Sequence, residues 1–437
     1  MNTAPDQAQQ VKLPALSESQ KVWRVRILTT TWLSYAGFYF CRKNYAIAKS
    51  SIREELVLTN SELAHIYTVY LISYMLGQFL TSYVGRKIAI RTLLLSTMAV
   101  TLICNVVFGF SYLMGPAGYW PMLAFMAING LAQGTGWPGN VGILSNWLRR
   151  EERGGIMAIW ATSYQLGSIL AKIFAAFMLG YFGAVWSFWG AALIMLGVWI
   201  AFYLWERDTP ESAGVEPIVE EVEIAVKPTA PGQKPHGFGL SEVWLSILFM
   251  GAAYFVFKFL RYALDSWSPM AIETLFQMSK EQAGYISTLF DWVGFVGVLF
   301  AGFMSDKYFR GRRHQTILLM TIGMLFAFIA MAMIGMNSVV SFGICLAICG
   351  FMLMGPDSLI SGVGAIDVGG KKMALVAAAV INGLGSIGPI FQEEIISWML
   401  DNYGYQAPFY MLAGMCVVGV IGTAHLSYRS RCNKSNL

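Results

Sequence analysis

Long apolar stretches alternate with short polar segments along the chain. A helix needs about 20 consecutive apolar residues to cross the hydrocarbon core of a bilayer. Stretches of this kind lie at residues 27–48, 62–84, 91–112, 120–147, 155–180, 184–205, 243–265, 281–304, 315–336, 339–362, 373–398 and 407–426. A mean hydropathy of +0.55 with only 13% charged residues is typical of a polytopic membrane protein. The pattern predicts an all-α membrane protein with twelve transmembrane helices, which we number spans 1 to 12.

The longest polar interruption lies between spans 6 and 7. Five prolines and four glutamates fall there, at Pro210, Pro217, Pro228, Pro231, Pro235, Glu216, Glu220, Glu221 and Glu223. This composition is typical of a solvated linker. The chain is therefore expected to divide into an N-terminal tail (1–26), a six-helix bundle (27–205), a linker (206–242), a second six-helix bundle (243–426) and a C-terminal tail (427–437).

The two predicted bundles repeat each other at an offset of 218 to 220 residues. Four features recur in the same order: Arg42 as Arg261, Gly77 as Gly297, Pro138 as Pro356, and the Leu-Gly-Ser-Ile segment at 166–169 as that at 384–387. Two parallel six-helix repeats around a site at the membrane midplane form the architecture of the major facilitator superfamily. We expect that fold here.

Basic residues are unequally divided between the two sides of the predicted bundle. Of the 30 Lys and Arg residues, Lys49, Arg53 and Lys280 fall on one side, Arg42, Lys43, Lys172, Lys258 and Arg261 fall within spans, and the rest fall on the side of the termini. Cationic loops stay in the cytosol, so both termini are expected there. The first 20 residues lack an apolar core, so no cleaved signal peptide is expected. The net charge of +5 reflects this bias and predicts no nucleic-acid partner.

Charged residues inside spans 1 and 7 predict an anion-binding site. Lys258, Arg261 and Asp265 share one face of span 7. Each cation at the bilayer centre costs about 2.5 to 3.5 kcal/mol, so such residues point to function. In span 1, Tyr35, Tyr39 and Arg42 share one face, with Lys43 beside them. Guanidinium groups suit the role because their planar fork binds phosphate or carboxylate through two hydrogen bonds.

Three alternatives stay open for these charges. Arg261 could simply pair with Asp265 while Arg42 extends outward, although one carboxylate cannot neutralise Arg42, Lys258 and Arg261 together. Lys172, on the same face of span 5 as Tyr164, could line the cleft or extend to the surface. Lys258 could contact the bound anion or form a fixed salt bridge with Asp291 in span 8. In span 11, Glu393 and Glu394 are expected at the membrane interface.

The loop between spans 8 and 9, GFMSDKYFRGRR at 302–313, carries Asp306, Lys307 and Arg310. It resembles the cytosolic loop signature of the superfamily, which latches the two halves in one state. The glycine-rich GTGWPG at 134–139 lacks the Lys-Ser/Thr of a phosphate loop, so we interpret it as a helix-packing segment. Neither catalytic motifs nor a metal-ligand spacing is found, so the sequence predicts no enzyme, no metal and no cofactor.

Several segments together resemble the organophosphate:phosphate antiporters of the major facilitator superfamily. They are FYFCRKNYAIA at 38–48, RYALDSWSP at 261–269, RDTPES at 207–212 and the 302–313 loop. The resemblance implies that Arg42 and Arg261 bind phosphate, that Tyr35 and Tyr39 lie in the site, and that Asp291 is its acidic residue. The chain departs from the family pattern at positions of span 5, span 2 and span 11, where it has Tyr164, Gln78, Ala378 and Ile381. We expect Tyr164 and Lys258 also to bind substrate, and the possible further residues of the cleft are Lys43, Gln78, Lys172 and Asp265.

The resemblance implies exchange of an organophosphate, of the sugar phosphate or glycerol-3-phosphate class, for inorganic phosphate. A phosphate monoester carries a charge of about −1.5 to −2 at neutral pH, which two arginines match. The family also includes a membrane sugar-phosphate sensor, so a receptor is one alternative. A proton-coupled anion symporter with Asp291 or Asp357 as proton carrier is another. A monomer in a bacterial inner membrane is expected.

Overall fold

The computed structural model describes residues 15–84, 87–149, 156–157, 159–218, 240–309 and 312–432, and these ranges contain helices but no strand. The helices are α1 (Glu18–Leu56), α2 (Asn60–Val84), α3 (Ile90–Leu113), α4 (Tyr119–Gln133 and Gly136–Trp147), α5 (Thr162–Phe182), α6 (Ala184–Trp205), α7 (Leu240–Phe276), α8 (Lys280–Ser287 and Leu289–Phe303), α9 (Arg313–Ile334), α10 (Val339–Leu359), α11 (Ala365–Tyr403) and α12 (Gln406–Arg431). One helix corresponds to each predicted span, so the all-α, twelve-helix prediction is confirmed.

Nine of the described helices are long and apolar enough to cross a membrane by length and composition alone. The exceptions are α1, α4 and α11. The two segments of α4 have only 15 and 12 residues, since the helix is interrupted at Gly134 and Thr135. Helices α1 and α11 carry charged residues within their length, including Lys49 and Glu393. Helices α5, α7, α8 and α10 also carry buried charged residues but remain apolar enough to be among the nine.

Helix α1 extends beyond the predicted span at both ends. It begins after Ser17, whose hydroxyl accepts a hydrogen bond from the Gln20 amide while the Gln20 side chain accepts one from the Ser17 amide. At the other end it continues to Leu56. Lys49, which the sequence places beyond the end of span 1, is therefore part of the same helix and is fully buried inside the bundle.

The repeat seen in the sequence is present in the helix packing. Gly77 of α2 lies so close to α4 that a Cβ there would overlap the carbonyl oxygen of Leu131. Gly297 of α8 has the same relation to the carbonyl oxygen of Phe351 in α10. Gly297 follows Gly77 by 220 residues, and Phe351 follows Leu131 by the same number. Small residues permit such close helix contacts in membranes, so the two glycines have equivalent structural roles in the two halves.

The two halves meet at the face that carries the α1–α2 and α7–α8 loops, which we call the distal face. There the Asp401 carboxylate of α11 accepts hydrogen bonds from the Asn60 side chain at 2.7 Å and the Ser61 hydroxyl at 2.9 Å, both on α2. Lys280 of α8 pairs with Glu54 of α1 at 2.5 Å. These contacts close the bundle at the distal face.

The first residues after α6 pack on the first half. The Trp147 indole donates to the Arg207 carbonyl at 3.0 Å, and the Arg91 amide donates to Asp208 at 2.6 Å. Glu206 is fully buried and accepts a hydrogen bond from the Thr30 hydroxyl at 2.6 Å. The predicted linker is therefore not solvated along its whole length, because its first residues pack against the first half.

Burial of Glu206 makes the stability of the protein depend on pH. Burial raises the pKa of this carboxyl from 4.5 to about 8. Between those values the folded state holds a proton that the unfolded state has lost, so stability falls as the pH rises from 4.5 to about 8. We expect Glu206→Gln to remove much of this loss, giving a higher melting temperature than the parent at pH 8 and little difference at pH 5. Thermal unfolding of the parent and the variant in detergent, from pH 5 to pH 8, measures this difference in melting temperature.

The matched control is Glu211→Gln, because Glu211 is exposed in the same segment. Between pH 5 and pH 8 that variant should keep a constant difference from the parent, because the Glu211 pKa is lowered from 4.5 by its hydrogen bond with Thr209. A melting temperature of Glu206→Gln that shifts equally at both pH values would contradict the proposed titration of Glu206.

Candidate anion-binding site

Side chains from both halves surround a small cavity near the middle of the bundle. It is lined by Tyr39, Arg42, Lys43, Tyr164, Gln165, Ser168, Arg261, Tyr262, Asp265, Asp291 and Met354. Its volume is about 20 Å³, which is room for about one water molecule. In this conformation the cavity is therefore too small for a phosphate ester and must widen to hold one.

Arg42 is held in the cavity wall by neutral groups. Its Nε donates to the Gln133 side-chain oxygen at 3.0 Å, and its guanidinium carbon lies 4.8 Å from the ring centroids of Tyr39 and of Tyr74. Within the described part of the chain, no group accepts a hydrogen bond from its buried Nη2. Arg42 thus presents a charged donor that an anion could satisfy.

Arg261 has a carboxylate partner, but not the one considered from the sequence. Its Nη1 lies 2.8 Å from an oxygen of Asp357 on α10, so the alternative pairing with Asp265 is wrong for this structure. The guanidinium carbon also lies 5.2 Å from the Tyr262 ring centroid. The two arginines line one cavity from equivalent positions of the repeat, while only Arg261 has a carboxylate bound to it.

Two lysines and two aspartates join the halves beside the arginines. Lys172 of α5 lies 2.7 Å from Asp265 of α7 and 2.6 Å from Asp291 of α8. Lys43 of α1 also pairs with Asp265, and the Ser168 hydroxyl donates to Asp291 at 3.1 Å. Lys172 is fully buried, so it does not extend to the surface, and it contacts residues of the cavity wall without being among the lining residues itself. All four charged groups have partners across the interface between the halves.

Lys258 lies one helical turn before Arg261 but faces α11. Its Nζ donates to the Asn382 side-chain oxygen at 2.8 Å and to the Ser386 hydroxyl at 3.0 Å, and it lies 5.0 Å from the Tyr254 ring centroid. It is buried but is not among the residues that line the cavity. The alternative salt bridge with Asp291 is not formed, since Asp291 pairs with Lys172.

The other predicted residues occupy several positions. Tyr164 lines the cavity, whereas Tyr35 packs behind it with its ring 5.3 Å from Trp137 and 5.8 Å from Trp160. Gln78 is half-buried on α2 and does not line the cavity. In the loop after α8, Lys307 is exposed over the Phe303 ring at 5.0 Å. The Asp306 side chain and Arg310 lie outside the described residues.

The sequence interpretation missed the neutral polar groups that hold the cations. Gln133 on α4 and Asn382 on α11 each accept a hydrogen bond from a buried cation. The only signal for them in the sequence is an amide side chain within an apolar span. Such a signal does not say which helix the amide faces, so these partners required the structure.

The formal charges around the cavity do not cancel. Arg42, Lys43, Arg261, Asp265 and Asp291 line the cavity, and Lys172, Lys258 and Asp357 lie next to these residues. Together they make five cations against three carboxylates. The excess of two positive charges is carried into a region where isolated charges are costly. A dianion would balance it, and the planar forks of Arg42 and Arg261 suit the oxygens of a phosphate.

Known proteins resemble this chain over most of its length. A profile of the Major Facilitator Superfamily matches residues 31–392 and 250–435. The chain is 29% identical to the glucose-6-phosphate exchanger SLC37A2 of Xenopus laevis, covering 92% of this chain and 83% of that one. It is 27% identical to the membrane sensor protein UhpC of Escherichia coli (strain K12), covering 90% of each. The crystal structure of a D-xylose-proton symporter superposes with a TM-score of 0.69 at 15% identity, covering 91% of this chain and 96% of that one.

The superfamily consists of transporters and not of enzymes, in agreement with the sequence prediction. Since its profile covers most of the residues that form the twelve helices, the chain belongs to the major facilitator superfamily, and its similarity to sugar-phosphate exchangers and sensors assigns it to the organophosphate:phosphate antiporter family within that superfamily.

Proposed function

We propose that the protein is an antiporter that exchanges an organophosphate, of the sugar phosphate or glycerol-3-phosphate class, for inorganic phosphate. The observation that carries this proposal is the excess of two positive charges around a cavity lined by one arginine from each half. A phosphate monoester carries about −1.5 to −2 charges at neutral pH. Inorganic phosphate presents the same group, so one site can serve both directions of the exchange.

In the proposed mechanism, phosphate binds between Arg42 and Arg261. The buried Nη2 of Arg42, which has no acceptor among the described residues, donates to a phosphate oxygen. Arg261 has further donors beside the one that Asp357 holds, so it can bind phosphate while its position is fixed. Tyr39 and Tyr164 line the same space. Substrate entry widens the cavity by moving the halves apart.

Alternating access is proposed to follow from rocking of the two halves about this site. With both termini in the cytosol, the closed distal face is the outer one. Opening it requires Lys43 and Lys172 to separate from Asp265 and Asp291, because these ion pairs join the halves. A bound anion can replace the lost carboxylate contacts of the lysines, which lowers the cost of separation. The loop with Asp306, Lys307 and Arg310 is proposed to act at the cytosolic side.

The helices establish an integral, multi-pass membrane protein. We propose further that it works as a monomer in a bacterial inner membrane, surrounded by lipid. The division of the chain into tails, bundles and linker at the boundaries given above is part of the same proposal.

Counterflow in proteoliposomes tests the function against its alternatives. Vesicles loaded with inorganic phosphate and challenged with glucose-6-phosphate or glycerol-3-phosphate should take up the ester, and a pH gradient should not change the rate. A symporter would require the proton gradient. A sensor, which the similarity to UhpC makes the second candidate, would bind the ester and transport it poorly.

Net transport without a counter-substrate should be slow. In an empty site the excess positive charge around the cavity has no anion to balance it, and burying unbalanced charge is costly. We therefore expect phosphate-loaded vesicles to lose phosphate at least tenfold more slowly into phosphate-free buffer than into buffer with phosphate, a difference of about 1.4 kcal/mol in barrier. Equal rates of loss in the two buffers would exclude obligatory exchange.

A further inference from the structure

A second charged cluster lies deeper than the contacts of the distal face and apart from the cavity. Lys49 of α1 and Glu393 of α11 form an ion pair, and both side chains are 0% exposed. The Lys49 ammonium also donates to the Ser266 hydroxyl at 2.8 Å and lies 3.4 Å from the Trp267 ring centroid. Glu393, expected at the membrane interface, is therefore enclosed by other parts of the protein. No step of the proposed binding mechanism uses this pair.

The pair connects the two halves along the face of α1 that also carries Arg42. Lys49 follows Arg42 by seven residues, which is two helical turns. It precedes Glu54, whose pair with Lys280 lies at the partly exposed distal face. Lys49 and Glu393 thus lie between the anion site and the outermost contacts, where separation of the halves must pull them apart.

The partners of the two residues are divided unequally between the halves. The Glu393 carboxylate accepts hydrogen bonds from Ser266 at 3.1 Å, Trp267 at 3.0 Å and Gln392 at 3.4 Å, all in the second half. These bonds persist when the halves separate. Lys49 would lose its carboxylate, hydroxyl and indole partners, because all three belong to the second half. It would keep only contacts within the first half.

Two tyrosines of the first half provide a place for the released ammonium. Lys49 Nζ lies 5.9 Å from the ring centroids of both Tyr45 and Tyr67. The two rings are stacked, with centroids 5.7 Å apart and planes inclined by 7°. Cation–π contact with such rings stabilises an ammonium, more so where water is scarce. Lys49 therefore has one set of contacts for the closed state and another that remains after opening.

We propose that Lys49 and Glu393 form an inner latch that closes with the distal face and separates when that face opens, and so sets the balance between the two states. The role rests on the proposed alternating access but not on the identity of the transported anion. The carboxylate is surrounded by four donors and lies away from the cavity, which fits a fixed partner of Lys49 rather than a substrate ligand. Removing one partner leaves the other charge buried and unpaired, so the state in which water reaches it is favoured.

The test measures access to the distal face without substrate. Ala64 of α2 is buried, one turn after Asn60, whose side chain bonds to Asp401 across the interface. In Ala64→Cys, with the exposed Cys432 changed to serine, labelling by a membrane-impermeant maleimide added at the distal side reports opening. Lys49→Gln and Glu393→Gln should each raise the labelling rate severalfold. The double variant, which removes both charges, should return it toward the parent rate.

Two further variants keep the test decisive. Lys280→Gln breaks the partly exposed pair with Glu54 and should change labelling little, because exposed pairs contribute little. Ser266→Ala removes one hydroxyl and should raise labelling to an intermediate rate, even if the charge variants fail to accumulate. Parental labelling in the single variants and in Ser266→Ala would overturn the proposal, and so would a double variant that labels as fast as the singles. Because no substrate is present, neither result depends on whether phosphate is exchanged.

Discussion

Arg42→Lys and Arg261→Lys should each nearly abolish phosphate exchange while leaving the protein folded in the membrane. Lysine keeps the positive charge but loses the planar fork that binds two phosphate oxygens at once. Losing one charge-assisted hydrogen bond costs about 1.5 to 3 kcal/mol, which is roughly 10- to 100-fold in affinity. The loss in exchange should be larger, because the site must also position the anion for closure of the two halves. Counterflow of inorganic phosphate measures both variants.

The two arginines differ in a way that the experiment can resolve. Arg42 is held by Gln133 and by tyrosine rings, so Arg42→Lys removes a donor that has no carboxylate partner. Arg261 is held by Asp357, so Arg261→Lys also disturbs a buried ion pair and should lower the melting temperature more. Arg26→Lys is the matched control, since Arg26 is an exposed residue of the same helix as Arg42. Near-parental exchange by either site variant would show that the paired forks are not required.

The helices and the cations of the site could be predicted from the sequence because both produce strong local signals. A run of about 20 apolar residues has few structural alternatives in a membrane protein. A cation within such a run is costly unless it serves a function. Arg42 and Arg261 line one cavity as the repeat indicated. Their common position follows from two signals read together, namely charge in an apolar span and equivalence between the halves.

The partners of those cations could not be predicted, because they come from distant parts of the chain. Asp265 lies four residues after Arg261 on the same helical face, but Arg261 binds Asp357 on another helix. Lys49 follows the last apolar residue of span 1, so hydropathy placed it outside. Its burial depends on Glu393, which lies 344 residues away. The spacing of residues along a helix shows which side chains share a face. The residues that this face contacts are known only from the packing of the helices.

The repeat between the two halves indicates that Lys258 can reach the site. At the offset of 219 residues that relates Arg42 to Arg261, Tyr35 corresponds to Tyr254 and Tyr39 corresponds to Lys258. Tyr39 lines the cavity, so the equivalent position of α7 is one from which a side chain could reach the site. In the present conformation Lys258 instead contacts Asn382 and Ser386. None of these contacts neutralises its charge.

Lys258→Gln should weaken substrate binding about tenfold, a change of about 1.4 kcal/mol, with the largest loss for phosphate esters that carry an additional carboxylate. The reason is that the ammonium is held by neutral groups that it can leave when a second anionic group enters the site. A glutamine can keep hydrogen bonds to Asn382 and Ser386, so stability should change little. Competition by a panel of phosphate esters in counterflow, together with thermal unfolding, measures both effects.

Lys172→Gln provides the contrasting variant at the same site. Lys172 pairs with both Asp265 and Asp291 in a fully buried position, and removing one partner of a buried ion pair costs about 3 to 5 kcal/mol. That variant should therefore lose melting temperature and should lose affinity equally for all substrates. If Lys258→Gln behaves in the same way, Lys258 is a structural residue. If it leaves the affinity for every phosphate ester unchanged, Lys258 does not contact the transported anion, and the excess charge of the site must be balanced at Arg42 and Arg261 alone.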